Sequence, residues 1–588
     1  MALTAALLLC AAVCLSFVSL ALGSLYVALP RILTYFSYPG LILLNTLPVM
    51  VLLALLYLLF DRAWLSFLLT SVLILVPTGV NYYKVVLRDD PFVFEDLAYA
   101  GEAAGIIGQY DIHLTVYFKA AIAACFLGTL LLFLFARAGI GLRKKRWLLR
   151  LGAIVLLIVL SIGGYRQFYA DDELYESFEN YTYFNRWQPV EDYASRGFVY
   201  PFLHSIADAY PAPPAGYSDE KAEQLLAEND DIPAAQKVNV ITIMLESFCD
   251  LTKHAELKLT EDPYAILHEL QGESLHGTMI SDTMGGGTSN SERSFLTGTV
   301  YPQPDYRHAS WSYVQYFRSQ GYATEGAHPG FDWYYNRKNV NLNLGFDHYY
   351  FNENFFDART SDEHAADDVF FTSLLELYHN RDETRPYFNF SISYQGHGPY
   401  SDTALSSGTE YISSEGLSEA CYYTVNNYLG SVADTLAQLK AFLDVLRQDA
   451  APAVVLLFGD HKPTLGNANS CYDELGIDIS RTTDESFLNY YATDYFIWAN
   501  DAAEAALGKT IEGEGPTVGP YFLMNVLFDA CGWEGPGLLK ITDELLNWVD
   551  TIHSTGAFLK NGVRFPFYEH ALSDFYIAQH YLRKHAYK

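Results

Sequence analysis

Val238-Asn-Val-Ile-Thr-Ile-Met-Leu245 is a mostly branched, apolar run with an acid, Glu246, directly at its end. Such a run, without regular polar alternation, predicts a strand buried on both faces. Two further runs share the pattern: Tyr387-Phe-Asn-Phe-Ser-Ile-Ser-Tyr394, and Ala453-Val-Val-Leu-Leu-Phe458 leading into Gly459-Asp460-His461. Helical stretches lie between and beside them, among them Ser310 to Gln320 and Val425 to Leu446. Strands alternating with helices predict an α/β domain with a central, mostly parallel sheet. In such sheets the site lies beyond the carboxyl ends of the strands. Glu246, His397 and the Asp460-His461 pair follow those ends.

Outward from the strands, Met284-Gly-Gly-Gly-Thr-Ser-Asn-Ser-Glu-Arg293 is the other distinctive segment. Its glycines let backbone approach a ligand closely, and Thr288 falls where a helix through Phe295 begins. Thr288 reads either as an N-cap or as a nucleophile activated by the helix start and a metal. Glu246, Thr288, Asp460 and His461 together offer three oxygens and one imidazole. That set suits one hard or borderline divalent cation, with Mn²⁺ expected and Mg²⁺ the alternative, better than a sulfur-rich zinc site.

The 588 residues are 51% hydrophobic, with 68 acidic and 37 basic side chains and a net charge of -31. A disordered chain is excluded by 45 Tyr and 37 Phe, and a nucleic-acid partner by the lack of a basic stripe. Charge is unevenly placed: residues 1–150 carry a net +4 and the remainder a net −35. Five apolar runs precede residue 170: Leu3 to Leu29, Leu41 to Phe60, Leu65 to Val80, Val116 to Phe135, and Trp147 to Gly164. Each is close to the roughly 20 residues of a membrane span, the third only if it extends towards Tyr83. Arg143, Lys144, Lys145, Arg146 and Arg150 before the fifth run predict a cytoplasmic loop there. On that basis the N-terminus is inside and everything after Tyr165 outside. A cleaved signal peptide ending near Ala21-Leu22-Gly23 is disfavoured by the absence of a basic segment before it.

The expected organisation is a five-helix transmembrane domain over 1–165, a juxtamembrane linker over 166–236, a catalytic domain over 237–500 and a C-terminal part over 501–588. The linker is aromatic and proline-bearing, with Tyr210-Pro-Ala-Pro-Pro214 and a helical run from Ser218 to Glu228. Cys249, Cys421, Cys471 and Cys531 fall on the disulfide-permissive side, with three pairings open.

Taken in order, Leu245-Glu246-Ser247, Gly287-Thr288-Ser-Asn-Ser-Glu292, His328, Tyr335-Asn336-Arg337, Leu344-Gly-Phe-Asp347, His397-Gly-Pro-Tyr400 and Gly459-Asp460-His461 resemble the lipoteichoic acid synthase family of membrane phosphoglycerol transferases. The segment from Lys84 to Pro91 with Glu95 and Asp96 also looks like that family. The resemblance implies a sulfatase-like ectodomain of the alkaline phosphatase superfamily. It implies Glu246, Thr288, Asp460 and His461 as metal ligands, Thr288 as nucleophile, and His328, Tyr335, Arg337 and His397 lining a glycerol phosphate pocket. This chain departs from the family in having Gly287 before the threonine, Tyr335 two residues before the arginine, and Gly330 at a position that can be acidic. Sulfate ester hydrolysis is disfavoured, because Thr288 lacks the C/S-x-P-x-R setting needed for formylglycine.

The implied activity is transfer of glycerol phosphate from phosphatidylglycerol to a lipid or glycan acceptor at the membrane, with His397 as acid/base. Phosphoethanolamine or other head-group transfer on the same fold, and a non-catalytic membrane-anchored binding protein, are the competing readings.

Overall fold

A computed structural model describes residues 2–88, 91–99, 113–136, 144–171, 174–175, 177–178, 180, 184, 189–209, 213–300, 308–553, 557–565 and 569–585. The chain divides into two compact units, Met1–Ala212 and Pro213–Lys588.

Among the described residues, the first unit holds five helices long and apolar enough to cross a membrane, Ala2–Gly23, Pro39–Phe60, Ala63–Arg88, Val116–Phe135 and Lys144–Gly164. The third does extend past Tyr83 and so reaches spanning length. Leu127, Leu130, Leu131, Leu149 and Leu156 stand exposed, as a lipid-facing surface requires. Buried Arg150 donates from Nε to Leu58 O at 2.8 Å and from Nη2 to Leu59 O at 3.0 Å, with Asp61 Oδ2 3.9 Å from Nη1. A cation thus satisfies the last carbonyls of the second helix, and the Asp61 end of that helix shares a side with the basic start of the fifth. Arg143, most of the loop between Arg88 and Asp111, and 210–212 of the proline segment lie outside the described residues.

In the second unit the strands are β1 (Asn239–Leu245), β2 (Leu275–Ile280), β3 (Ala323–Ala327), β4 (His348–Tyr350), β5 (Tyr387–Ile392), β6 (Ala453–Gly459), β7 (Ala492–Ala499) and β8 (Gly513–Glu514). They form one sheet in the order β4-β3-β5-β1-β6-β7-β2-β8. Pairing is parallel except on the two sides of β7. The three runs singled out in the sequence are the adjacent central strands β5, β1 and β6. Along β1, Val240 and Met244 face one core, while Ile241, Ile243 and Leu245 face the other. Helices Thr288–Thr297 and Leu523–Cys531 contribute to the first core, and the long helix Glu419–Arg447 to the second.

The segment read as a linker is shared between the units. Helices Pro189–Arg196 and Val199–Ala209 fall in the first; helix Asp219–Leu225 is in the second, where Lys221 pairs with Asp574 at 2.7 Å and Tyr581 donates to Glu223 at 2.9 Å. Residues beyond 500 supply the edge strand β8 of the main sheet, core helices, and a small three-stranded sheet. Cys249, Cys421, Cys471 and Cys531 are all buried free thiols.

Phe295 anchors the Thr288 helix, with its ring 5.6 Å from Phe390 of β5 and 4.9 Å from Phe458 of β6. Phe295→Ala should cost about 3–5 kcal/mol and visibly lower the thermal midpoint of the detergent-purified chain, with Phe295→Leu costing less. An unchanged midpoint would show that this packing does not hold the helix.

Candidate active site

Register places the first two acids together. β1 and β6 run parallel with Leu245 opposite Gly459, so the next residues, Glu246 and Asp460, leave the sheet side by side. Both are buried. Ser247 then adopts a left-handed backbone, φ 54°, which costs a non-glycine residue about 1–3 kcal/mol. The turn directs its N–H to Asp460 Oδ1 at 2.7 Å and its hydroxyl to Glu246 Oε1 at 3.1 Å. The His461 N–H also donates to Asp460 Oδ1, at 2.8 Å.

Thr288 reaches the same point through the glycine loop. The Gly285 N–H donates to Lys462 O at 2.9 Å, tying the loop to the exit of β6. Gly285 has φ 69°, and a Cβ there would lie 1.8 Å from Thr464 Oγ1. The helix cap is Gly287, φ 79°, and Thr288 is the first helical residue. This corrects the N-cap reading: the Thr288 hydroxyl makes no side-chain cap and points instead to Glu246 Oε2 at 3.3 Å, with His461 Nε2 at 3.5 Å.

The electrostatics call for a cation. His461 Nδ1 donates to Lys462 O at 3.0 Å, which turns Nε2 towards Asp460 Oδ2 at 3.1 Å and Glu246 Oε1 at 3.6 Å. One ligand atom each from Glu246, Asp460 and His461 lies within 4.8 Å of the others. Asp460 Oδ2 is buried without a hydrogen-bond partner among the described residues. Burial and the Glu246 charge push the Asp460 carboxyl up to about 7. His461 is raised despite its burial, because the Asp460 and Glu246 carboxylates outweigh that penalty. Converging buried lone pairs of this kind fit a divalent metal, and its bound partner set would be two carboxylates, an imidazole and the threonine oxygen.

Arg337 is buried, and its Nε donates to Glu292 Oε2 at 2.9 Å, four residues along the helix from Thr288. Its Nη2 is buried with no hydrogen-bond partner among the described residues, and its guanidinium lies 4.9 Å over the Tyr335 ring. Tyr335 and Asn336 both take left-handed backbone, φ 54°. Burial raises the Tyr335 phenol to about 12 against the pull of Arg337. His328 is buried, with Nδ1 donating to Ile392 O at 3.1 Å, and burial followed by the Arg337 charge keeps it neutral. A Cβ at Gly330 would lie 2.2 Å from His328 Nε2, so the glycine makes room for that ring. His397 is exposed on the rim: Nδ1 donates to Gly398 O at 2.5 Å, and the ring stacks on Tyr394 at 5.2 Å. It does not touch the Glu246, Thr288, Asp460 and His461 cluster directly.

Residues 238–525 match the family model described as Sulfatase. They form a sulfatase-like α/β domain. Over 551 residues the chain is 28% identical to a Rhizobium meliloti (strain 1021) protein described as a cyclic beta-1,2-glucan modification protein, covering 89% of this chain and 83% of that one. Among solved structures, the Streptococcus pyogenes phosphoglycerol transferase GacH in complex with sn-glycerol-1-phosphate is 21% identical, with a TM-score of 0.48, covering 63% of this chain and 94% of its own. The lipoteichoic acid synthase LtaP from Listeria monocytogenes is 16% identical, with a TM-score of 0.42, covering 62% and 96%.

Sequence reasoning passed over three residues of this domain's cleft. Ser247 was legible only as a neighbour of Glu246, since nothing in the sequence announces its left-handed turn. Glu292 stood in the threonine motif, but its partner lies 45 residues away. Tyr394 ends a strand-like run and gave no sign of joining His397 to His328.

His461→Ala should lower the metal content of the purified protein, whereas His397→Ala should leave it near wild type, by elemental analysis. The metal affinity of stripped protein should fall as pH drops below about 7, because a protonated Asp460 cannot ligate. Equal metal loss in the two variants would mean that the roles are misassigned.

Proposed function

We propose that this protein is a membrane-anchored, metal-dependent phosphoglycerol transferase of the lipoteichoic acid synthase type. It moves glycerol phosphate from phosphatidylglycerol to a hydroxyl of a lipoteichoic-acid-like or glycan acceptor, through a covalent intermediate on Thr288. The observation that carries the reading is the Thr288 hydroxyl, freed from helix capping and hydrogen-bonded to Glu246 beside Asp460 and His461. A glycan-modifying relative at 28% identity and the ordered motifs support the same class of reaction.

Thr288 Oγ1 gives up its proton towards Glu246 Oε2 and attacks phosphorus; the bond from phosphorus to the diacylglycerol oxygen breaks, and diacylglycerol leaves with a proton given up by His397 Nε2. An acceptor hydroxyl then attacks the glycerophospho-threonine, passing its proton to His397 Nε2, and the Thr288 oxygen leaves and takes back the proton held at Glu246. Arg337 Nη2, already aimed by the Glu292 ion pair, donates to the phosphate, and neutral His328 offers Nε2 to the glycerol end. A divalent cation, Mn²⁺ first and Mg²⁺ second, would lower the Thr288 hydroxyl pKa and offset phosphodiester charge when bound by Glu246, Thr288, Asp460 and His461. Lipid donor and membrane anchor share one surface, which raises the donor's effective concentration.

The cluster from Arg143 to Arg150, and the Arg150 contact with the Asp61 end of the second helix, support a cytoplasmic placement of both and an outward-facing sulfatase domain. An impermeant thiol reagent should label a cysteine introduced in the Asp219–Leu225 helix on intact cells; protection there with labelling at position 143 would invert the topology. With labelled phosphatidylglycerol, Thr288→Ala should lower diacylglycerol release by at least about 10²-fold at unchanged thermal stability, and Thr288→Ser should keep part of the activity because the hydroxyl remains. Turnover of the alanine variant near wild type would refute the nucleophile. Release from phosphatidylethanolamine but not phosphatidylglycerol would transfer the assignment to head-group transfer of the other kind.

A further inference from the structure

A ladder of rings leads outward from the catalytic pocket. Tyr394, 5.9 Å from His328 and stacked on His397, lies 6.4 Å from Tyr334 with ring planes 11° apart, and His364 packs on it at 3.9 Å. Tyr334 meets Trp333 edge-on at 4.4 Å, and Trp333 stacks on Phe331 at 5.4 Å and 7°. Phe331, Trp333, Tyr334, His364 and Tyr394 are all only half-buried. Rings that serve packing alone finish inside a core, as those of Phe295 and Phe317 do. A run of flat, half-exposed rings beginning at the pocket is instead the surface that meets the apolar C–H face of a sugar, with hydroxyls left to neighbouring polar groups.

Those neighbours also set the charge of what can bind. Asp332 lies between Phe331 and Trp333 in the chain, its N–H received by Glu353 at 3.1 Å, and Glu363 precedes His364. Lys338 is held by Asp332 at 3.3 Å, which leaves the ridge acidic. Residues 151–588 carry a net −35. A polyanionic acceptor such as a growing glycerol phosphate chain would meet repulsion along this path, and so would an anionic bilayer surface; a neutral glycan would not.

We propose that the ridge Phe331-Trp333-Tyr334-His364-Tyr394 is the acceptor subsite and takes an uncharged hexose of a glycan, stacked on the rings with one hydroxyl directed at the pocket. The proposal rests on the transfer reading given above and names its acceptor. The sugar oxygen forms the new bond to phosphorus, the bond from phosphorus to Thr288 Oγ1 breaks, and the sugar's hydroxyl proton passes through His397 Nε2 while Thr288 regains one.

The test uses the full chain in nanodiscs containing phosphatidylglycerol, with a neutral β-linked glucose oligosaccharide and a glycerol phosphate oligomer as probes. Calorimetric titration should show oligosaccharide binding that Trp333→Ala weakens at least about tenfold and Trp333→Phe largely restores. In the transfer assay, Trp333→Ala should raise the apparent KM for the oligosaccharide by a similar factor while changing kcat less. The proposal is overturned if the wild type does not bind the oligosaccharide, if Trp333→Ala binds it equally, if the anionic oligomer is the preferred acceptor, or if the substitution reduces capture of phosphatidylglycerol vesicles in place of sugar binding. Sugar binding through Trp333 with no diacylglycerol release from wild type would sink the donor assignment and leave the subsite standing.

Discussion

Two buried carboxylates that repel each other organise this molecule. Parallel pairing of β1 with β6 forces Glu246 and Asp460 out of the sheet side by side, in a place where neither can be solvated. Burying like charges together costs several kcal/mol unless something offsets them. The surroundings are built for that: the Ser247 turn, the His461 backbone and imidazole, and the Thr288 hydroxyl all converge on the pair. What remains uncompensated is the face between Asp460 Oδ2, Glu246 and His461 Nε2, which a divalent cation would occupy.

The strain stored nearby follows from the same demand. Left-handed residues at Ser247, Tyr335 and Asn336, and positive φ through Gly285 to Gly287, cluster around one cleft. Each bends backbone so that an N–H, a hydroxyl or a guanidinium meets anionic oxygen. The buried Arg337–Glu292 pair works similarly. Glu292 neutralises the buried cation and fixes it, while Nη2 has no hydrogen-bond partner among the described residues.

The central strands were legible because β5, β1 and β6 are buried on both faces and so read as unbroken apolar runs. Their ends also marked the site. The outer strands were not legible: β2 carries His276 and Gly277 with only half-buried residues in its first part, and β3 is Ala-Thr-Glu-Gly-Ala, with Thr324 its single β-branched residue and no aromatic one to signal a strand. Gly277 and Gly326 are explained only by neighbours far along the chain, since a Cβ would lie 2.5 Å from Tyr495 Oη and 2.3 Å from Phe390 O. The five apolar helices were plain from length alone, whereas the division of 166–236 between two units depends on pairings such as Lys221 with Asp574 that no local pattern encodes.

The proposed transfer depends on covalent chemistry at one hydroxyl. Wild-type protein mixed with phosphatidylglycerol without acceptor, quenched rapidly in acid and mapped by peptide mass spectrometry, should carry one glycerophosphoryl group on the segment from Gly285 to Arg293, localised to Thr288. Diacylglycerol release with that segment unmodified at every quench time, or with the adduct on another residue, would contradict it.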